Sequence, residues 1–289
     1  MADRLDVRKT YKLFIGGAFP RSESGRSYEV VDATGSFLAN AARASRKDVR
    51  EAVVAARAAQ PGWAAASAYN RGQVLYRVAE LLEGRSEQFV VEVSRAEGSP
   101  RKAAAAHVAA AIDRWVWYAG WYDKIAQVHG AANPVAGPYF DFSVPEPTGV
   151  VAVIAPQRSC LLGLVSAVAP VIVSGNTAIV VASEHRPLPA ITLAEVLATS
   201  DVPGGVVNVL TGRIDELAPV LAGHLDVNGL DLTGLAGTDT TELEIAAAEN
   251  VKRVLPAPAE EPDWRPVPPG PQRILAFCET KTVWHPKGR

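Results

Sequence analysis

The chain has 289 residues, a net charge of −2 and scattered Lys and Arg residues, so no basic stripe indicates a nucleic-acid partner. The longest apolar run, residues 161–174, is too short to span a bilayer, and the first residues lack the apolar centre of a signal peptide. Two cysteines and five widely spaced histidines indicate neither a disulfide framework nor a metal site. We therefore expect a globular cytoplasmic protein that holds no metal.

The beginning of the chain predicts small β-elements followed by a helix. The segment YKLFIGGAF at 11–19, with its Gly-Gly turn, is typical of a short hairpin, and residues 28–45 continue as edge strands. Ser45 is placed as an N-cap, and the amphipathic helix after it is expected to end at Pro61-Gly62.

Helical patterns then dominate up to the middle of the chain. One pattern is rich in alanine and carries Trp115, Trp117 and Trp121, whose helical spacing indicates core packing rather than a cofactor box. The predicted helices cover residues 67–84, 86–98 and 99–125.

The second half of the sequence predicts a parallel sheet. Residues 139–147, YFDFSVPEP, alternate aromatic and polar side chains as an exposed β-ribbon does. From Gly149 onward, apolar strands alternate with helices, which is typical of a parallel sheet covered on both faces. Such sheets bind ligands at the carboxyl ends of their strands. The predicted strands are 149–155, 177–182, 205–210, 227–232 and 251–255, and the predicted helices are 161–174, 187–200, 213–224 and 239–249.

A proline-rich segment interrupts this pattern near the end of the chain. Residues 256–273 hold seven of the 21 prolines, a density that predicts an extended linker. A lone strand is predicted after it, at 274–286. Because one strand is not stable alone, we expect it to pair with a sheet edge, on its own chain or on another.

Several motifs resemble those of the NAD(P)-dependent aldehyde dehydrogenase superfamily. They are PTGVVAVIAP, APVIVSGNTAIVVASEHRPL, IGGAF, PGGVVNVLTG, LDLTG, AAAENVKRV and the tail FCETKTV. The resemblance implies an α/β fold: a Rossmann-like doubly wound parallel sheet with an N-terminal helical region, a β-ribbon and a C-terminal oligomerisation strand that crosses to a neighbouring subunit. The implied division is 1–135 for the hairpin and helices, 136–148 for the ribbon, 149–255 for the sheet, 256–273 for the linker and 274–289 for the tail.

The resemblance also predicts a shortened member that lacks the catalytic domain. In the family, the strand matching VKRV is followed by Glu-Leu-Gly-Gly-Lys, with the usual general base, and then by a domain that carries the cysteine nucleophile. Here VKRVL continues directly into PAPAEEP. The proline-rich linker therefore stands where the catalytic domain would be.

The turn after the first strand of the sheet departs from the family pattern. The family has Pro-Trp-Asn-Phe-Pro, whose asparagine stabilises the oxyanion, whereas this chain has PQRSC. Arg158 occupies the asparagine position and is too long and too charged to reproduce that geometry. Cys160 occupies a proline position. At a helix N-terminus near Arg158 its thiol would have a lowered pKa, but the favoured interpretation is a small residue buried for packing alone. We assign no catalytic residue and keep Cys160 and Arg158 as the candidates.

The cofactor positions that the resemblance implies are only partly retained. Val181 replaces a lysine that grips the ribose, Leu235 replaces a serine near the pyrophosphate, and Ala218 replaces a glycine near the adenine. We therefore expect no bound cofactor, with weakened NAD(P) binding as the alternative. The residues that remain of the site are Ser183, Glu184, Gly212 and Gly234.

Two classes of function follow. The favoured one is a catalytically inactive structural or regulatory subunit, either in a homo-oligomer or in a hetero-oligomer with a complete aldehyde dehydrogenase. The alternative is an enzyme: an NAD(P)-dependent aldehyde oxidoreductase completed by a partner chain, or a thiol enzyme that uses Cys160. Neither class involves nucleic acid or a membrane.

Overall fold

The computed structural model describes residues 9–266 and 268–288, and this part begins with a tight turn and a small sheet. Gly16 and Gly17 have φ of 62° and 83°, the left-handed backbone that a two-residue hairpin turn requires. The predicted hairpin also joins the main sheet, because Phe14 and Val209 exchange main-chain hydrogen bonds of 2.9 and 2.7 Å. Strand β1 (Ser27–Val31) then pairs antiparallel with β2 (Phe37–Ala42).

The first helix begins where it was predicted and ends later. Ser45 caps α1 (Arg46–Ala65), and its side chain accepts hydrogen bonds from two main-chain N–H groups of the first turn. The predicted end at Pro61-Gly62 is wrong, because Pro61 lies inside the helix. The last turn is held by Trp63, which is buried and donates from Nε1 to the carbonyl oxygen of Ile172 at 2.8 Å.

The helical region continues with three longer helices and one short one. The single helix predicted over 99–125 is wrong, since the structure breaks it into two pieces at the turn that begins with Gly120, a poor helix former. Core packing of the tryptophans is confirmed: Trp115 is fully buried, and Trp117 and Trp121 are partly buried with ring centroids 5.3 Å apart. The helices are α2 (Ala68–Gly84), α3 (Ser86–Glu97), α4 (Arg101–Ala119) and α5 (Lys124–His129).

Two antiparallel strands follow, and then the main sheet. Strand β4 (Tyr139–Pro147) is the predicted ribbon strand, and it pairs with β3 (Ala131–Asn133), which was not predicted. The main sheet has five parallel strands in the order β7-β6-β5-β8-β9. Its elements are β5 (Val150–Ile154), α6 (Leu162–Val173), β6 (Thr177–Val181), α7 (Leu188–Ala198), β7 (Val207–Leu210), α8 (Ile214–Ala222), β8 (Gly229–Asp231), the 3-10 turn Thr233–Leu235, α9 (Thr241–Ala248) and β9 (Arg253–Leu255).

Both faces of the main sheet are buried, which confirms the doubly wound α/β prediction. Alternate residues of β5 point to opposite sides. Val151 and Val153 belong to a core shared with α4, α6 and α7. Val150 and Ile154 belong to a second core, shared with α1, α8 and α9. The order of strands reverses direction between β5 and β8, and this switch point places a crevice at the carboxyl ends of these two strands.

The end of the chain folds back onto the same molecule. The strand predicted at 274–286 begins later, because α10 (Gln272–Leu275) precedes β10 (Cys278–Pro286). Strand β10 pairs antiparallel with β4 over its whole length and forms a sheet in the order β10-β4-β3. The structure therefore shows the pairing within one chain, which is one of the two pairings that the sequence predicted. Buried Phe277 explains it: its carbonyl oxygen accepts from Thr148 N at 3.1 Å and holds the start of β10 beside β4. Within the two described ranges, no helix is both long and apolar enough to cross a bilayer.

Candidate ligand crevice at the carboxyl edge of the main sheet

The crevice at the switch point is a cavity of about 530 Å³ between the loops that follow β5 and β8. Gln157 and Arg158 line one wall, and Gly234, Leu235, Ala236 and Thr238 line the other. The third wall comes from the linker, through Ala259, Glu260 and Glu261. The predicted location of a site is therefore a real cavity, but the linker closes part of it.

Arg158 contacts the linker rather than the other site candidates. Its side chain is 68% exposed and donates from Nη2 to the carbonyl oxygen of Glu261 at 3.1 Å. Its own carbonyl oxygen accepts from Arg186 Nη1 at 2.6 Å. The guanidinium therefore holds the linker at the mouth of the crevice.

Cys160 is a buried thiol held by a carboxylate. It is 2% exposed, and its Sγ donates to Glu97 Oε1 at 3.3 Å, the same oxygen that accepts from Cys160 N at 2.9 Å. Burial, reinforced by the negative charge and the hydrogen bond of Glu97, raises the pKa of the thiol well above its ordinary value. The expected lowering of this pKa at the helix N-terminus is thus wrong. The other oxygen of Glu97 lies 3.2 Å from His107 Nδ1, so His107 contacts the carboxylate and not the sulfur.

Glu184, which the resemblance assigns to the ribose, already has partners within the chain. It forms an ion pair with Arg213, and its Oε2 accepts from Ile214 N at 3.1 Å. Burial alone would raise the pKa of Glu184, but these hydrogen bonds bring it below its ordinary value. Ser183 is buried beside it and donates from Oγ to the carbonyl oxygen of Gln157 at 3.1 Å. Both side chains are therefore engaged in holding loops together.

The two glycine candidates are required by close packing. A Cβ at Gly234 would overlap the carbonyl oxygens of Ile154 and Ala155 at the end of β5. Gly212 has φ of 152°, a conformation that favours glycine, and a Cβ there would lie 3.1 Å from Ala44 N. Close packing and backbone conformation therefore explain glycine at both positions without any role in cofactor binding.

The linker is fixed to the body by side chains that the sequence did not single out. Buried Arg114 donates to the carbonyl oxygen of Trp264 at 2.6 Å and to Ser166 Oγ at 2.9 Å. Arg273 forms an ion pair with fully buried Asp231 of β8, and its guanidinium lies 5.3 Å from the centre of the Trp264 ring. The proline count predicted a linker, but no local pattern identified these partners.

Glu261 is the linker residue whose side chain contacts the loop after β5. Its carboxylate accepts from the main-chain N–H groups of Gln157, Arg158 and Ser159 at 3.0, 2.8 and 2.9 Å. Together with Glu97 on Cys160 N, two carboxylates therefore engage four consecutive N–H groups of the turn PQRSC. The thiol of this turn is buried with a raised pKa, and the neighbouring carboxylates serve as hydrogen-bond acceptors. The turn has no exposed nucleophile paired with a base.

Comparisons with known proteins agree with this architecture. The aldehyde dehydrogenase family profile matches residues 19–256, which is the region that ends where the linker begins. The chain is 34% identical over 247 residues to aldehyde dehydrogenase family 2 member B4, mitochondrial, of Arabidopsis thaliana, covering 84% of this chain and 45% of that protein. The chain thus spans about half the length of this relative.

Solved structures give the same result. An NAD-dependent aldehyde dehydrogenase from Sinorhizobium meliloti superposes with a TM-score of 0.81 and 30% identity, covering 86% of this chain and 50% of that one. The NAD⁺ complex of an aldehyde dehydrogenase from Bacillus cereus superposes with a TM-score of 0.80 and 27% identity, covering 85% and 50%. The profile match, together with this fold, shows that the chain belongs to the aldehyde dehydrogenase family.

Proposed function

We propose that this chain does not oxidise aldehydes by itself and serves as a structural or regulatory subunit, self-associated or assembled with a complete aldehyde dehydrogenase. The observation that carries the proposal is the crevice, where the linker contributes Glu260 and Glu261 to the wall. Two carboxylates at this position oppose the negative charge of a dinucleotide pyrophosphate. The linker thus places carboxylates of this chain in part of the crevice.

The residues that the resemblance assigns to the cofactor do not fit NAD(P), and two of them, Glu184 and Val181, do not line the crevice. Glu184 is bound by Arg213 and Ile214 N, and Val181 is fully buried in β6 and has no group that donates to a ribose. Leu235 adds an apolar side chain to the wall where a phosphate would need donors. We therefore derive no hydride-transfer step. Isothermal titration of the purified chain with NAD⁺ and NADP⁺ should give no saturable heat, and saturable binding at micromolar concentration would contradict this part of the proposal.

The sheet β10-β4-β3 supports the assembly part of the proposal. Tyr139, Phe140 and Trp284 are 39%, 49% and 58% exposed on this sheet. A cavity of about 360 Å³ beside α5 is lined by Phe140, Phe142, Val144 and alanines of β3. Tyr139 and Trp284 lie on one face of the sheet with ring centroids 5.7 Å apart, and Phe140 lies on the other face beside Phe142. Exposed aromatic side chains on a small sheet are typical of a protein contact surface. Strand β10 is the outer strand of the sheet, so its second edge is available to a partner strand.

Purification from the native host tests the proposal directly. We expect the tagged chain to elute as an oligomer and to co-purify with a full-length aldehyde dehydrogenase when the host contains one. The purified chain alone should form no NADH from a panel of aldehydes. A monomer under all conditions would refute the assembly, and NADH formation by the chain alone would refute the inactivity.

A matched pair of variants tests the contact surface. Phe140→Asp places a charge on the ribbon, and Tyr76→Asp places one on α2 at a similar exposure, 51% against 49%. Light scattering after size exclusion should show loss of the oligomer for Phe140→Asp and an unchanged oligomer for Tyr76→Asp. Equal behaviour of the two variants would exclude the ribbon as the contact.

The same assays also test the alternative that the chain is an enzyme. An oxidoreductase completed by a partner chain would require NADH formation by the assembly to depend on this chain. A thiol enzyme would require a turnover that Cys160→Ala abolishes. The burial of Cys160 and the raised pKa of its thiol argue against the second possibility. Two free, buried thiols also support a reducing compartment, for which we propose the cytoplasm.

A further inference from the structure

The turn after β5 presents three consecutive main-chain N–H groups to one carboxylate. The N–H groups of Gln157 and Arg158 donate to Glu261 Oε2 at 3.0 and 2.8 Å, and that of Ser159 donates to Oε1 at 2.9 Å. We call these three N–H groups the amide nest. Converging N–H groups form a concave anion-binding site because their partial positive charges point to one spot.

The Glu261 carboxylate is held in the amide nest by a buried side chain and an anchored segment of the linker. The Glu261 side chain is 7% exposed, although it belongs to an irregular linker segment. Its main-chain carbonyl is held by Arg158 Nη2 at 3.1 Å. Three residues further on, Trp264 is buried against Gly163 of α6, which anchors the linker on the same side. The chain thus delivers one carboxylate to the nest and shields it from solvent.

Glu261 also separates two cavities. The crevice of about 530 Å³ lies on one side of it, and a second cavity of about 410 Å³, lined by His107, Ser159 and Trp264, lies on the other. Glu261 and Arg158 line both cavities. Removal of this one side chain would therefore open the nest to space on both sides, with room for a small molecule.

We propose that the amide nest is a carboxylate-binding site that the chain occupies with Glu261, and that a small external carboxylate binds there when the Glu261 side chain is removed. Two oxygens already satisfy the three donors, which matches a carboxylate. Glu97 and Glu260 line the adjoining cavities, and their negative charge disfavours a phosphate dianion. This inference goes beyond the proposed subunit role and does not depend on any assembly.

Chemical rescue tests the proposal, with acetate as the probe. Glu261→Ala removes the internal ligand and should lower the melting temperature by about 4 °C or more. Titration with sodium acetate should restore it with a saturable dose dependence, by about 3–6 °C at saturation beyond the effect of sodium chloride at equal ionic strength. The control is Glu260→Ala, which removes a carboxylate that lines the same crevice outside the nest. This control and the wild-type protein should shift no more with acetate than with chloride.

Three results would overturn the proposal. Equal acetate shifts in Glu261→Ala, Glu260→Ala and wild type would show only a general salt effect. A larger rescue by inorganic phosphate than by acetate would refute the assignment to carboxylates. If Glu261→Ala does not fold, Glu261→Ser keeps a polar side chain that is too short to reach the nest. Acetate should then shift the amide NMR signals of Gln157, Arg158 and Ser159, and unshifted signals would refute the site.

Discussion

Replacement of Trp264 by alanine tests whether the linker is part of the folded core. Trp264 is 8% exposed, and its indole packs directly on Gly163, where a Cβ would lie 2.9 Å from Nε1. The substitution removes about 200 Å² of buried apolar contact, which at about 25 cal/mol per Å² is about 5 kcal/mol as an upper limit. We expect the free energy of unfolding to fall by about 3–5 kcal/mol, the usual cost of a buried Trp→Ala change.

Urea unfolding followed by far-UV circular dichroism measures this loss. Trp284→Ala is the matched control, because Trp284 lies in the same C-terminal part of the chain but is 58% exposed. Its cost should be about 1 kcal/mol or less. A change within about 0.5 kcal/mol of wild type for Trp264→Ala would refute the reasoning, since the linker would then contribute no core. An equal cost for both variants would show that burial is not the cause.

Three further predictions concern the crevice and its surroundings. Burial raises the pKa of Cys278 to about 11 and that of Cys160 well above its ordinary value. Iodoacetamide at about pH 8 should therefore modify neither thiol until urea unfolds the protein, as measured by mass spectrometry. Rapid modification of Cys160 in the native protein would contradict this prediction. Gly234→Ala should lower the free energy of unfolding by about 3 kcal/mol or more, because the added Cβ would overlap main-chain oxygens. Gly62→Ala is the control: Gly62 lies in α1 with open space around it, so this change should raise the free energy of unfolding by about 0.5–1 kcal/mol in the same urea assay. The pKa of Glu184 in the folded state lies below its ordinary value of 4.5, so the carboxylate stabilises the fold above about pH 4.5 and loses this effect as the pH falls through the folded-state pKa. A Glu184→Gln variant should therefore lose less free energy of unfolding than wild type on acidification. Equal losses in the two proteins would refute this prediction.

Local sequence patterns predicted most elements of the fold. The cap at Ser45, the ribbon at 139–147 and the apolar strands from Gly149 onward depend on near neighbours, and these predictions agree with the structure. Predictions were wrong where distant contacts override local preference. Pro61 normally ends a helix, but the buried Trp63 keeps α1 going for another turn.

The candidate site was less predictable than the fold. The resemblance located Cys160 and Glu184, but it did not identify the groups that hold them. Glu97 and Arg213 are 63 and 29 residues away from these partners along the chain. A carboxylate beside a thiol raises its pKa and an arginine beside a carboxylate lowers it, so the chemistry of both residues depended on neighbours that no motif contains.

By itself, the sequence determined the class of fold and the place of the crevice, because hydrophobic periodicity and strand order depend on residue types that can be read along the chain. Only the tertiary structure decided what occupies that crevice. Glu261 reaches the N–H group of Gln157 across 104 residues of sequence, and Arg273 reaches Asp231 across 42. Main-chain N–H groups carry no sequence signal, so a carboxylate that binds them is visible only when the chain has folded around it.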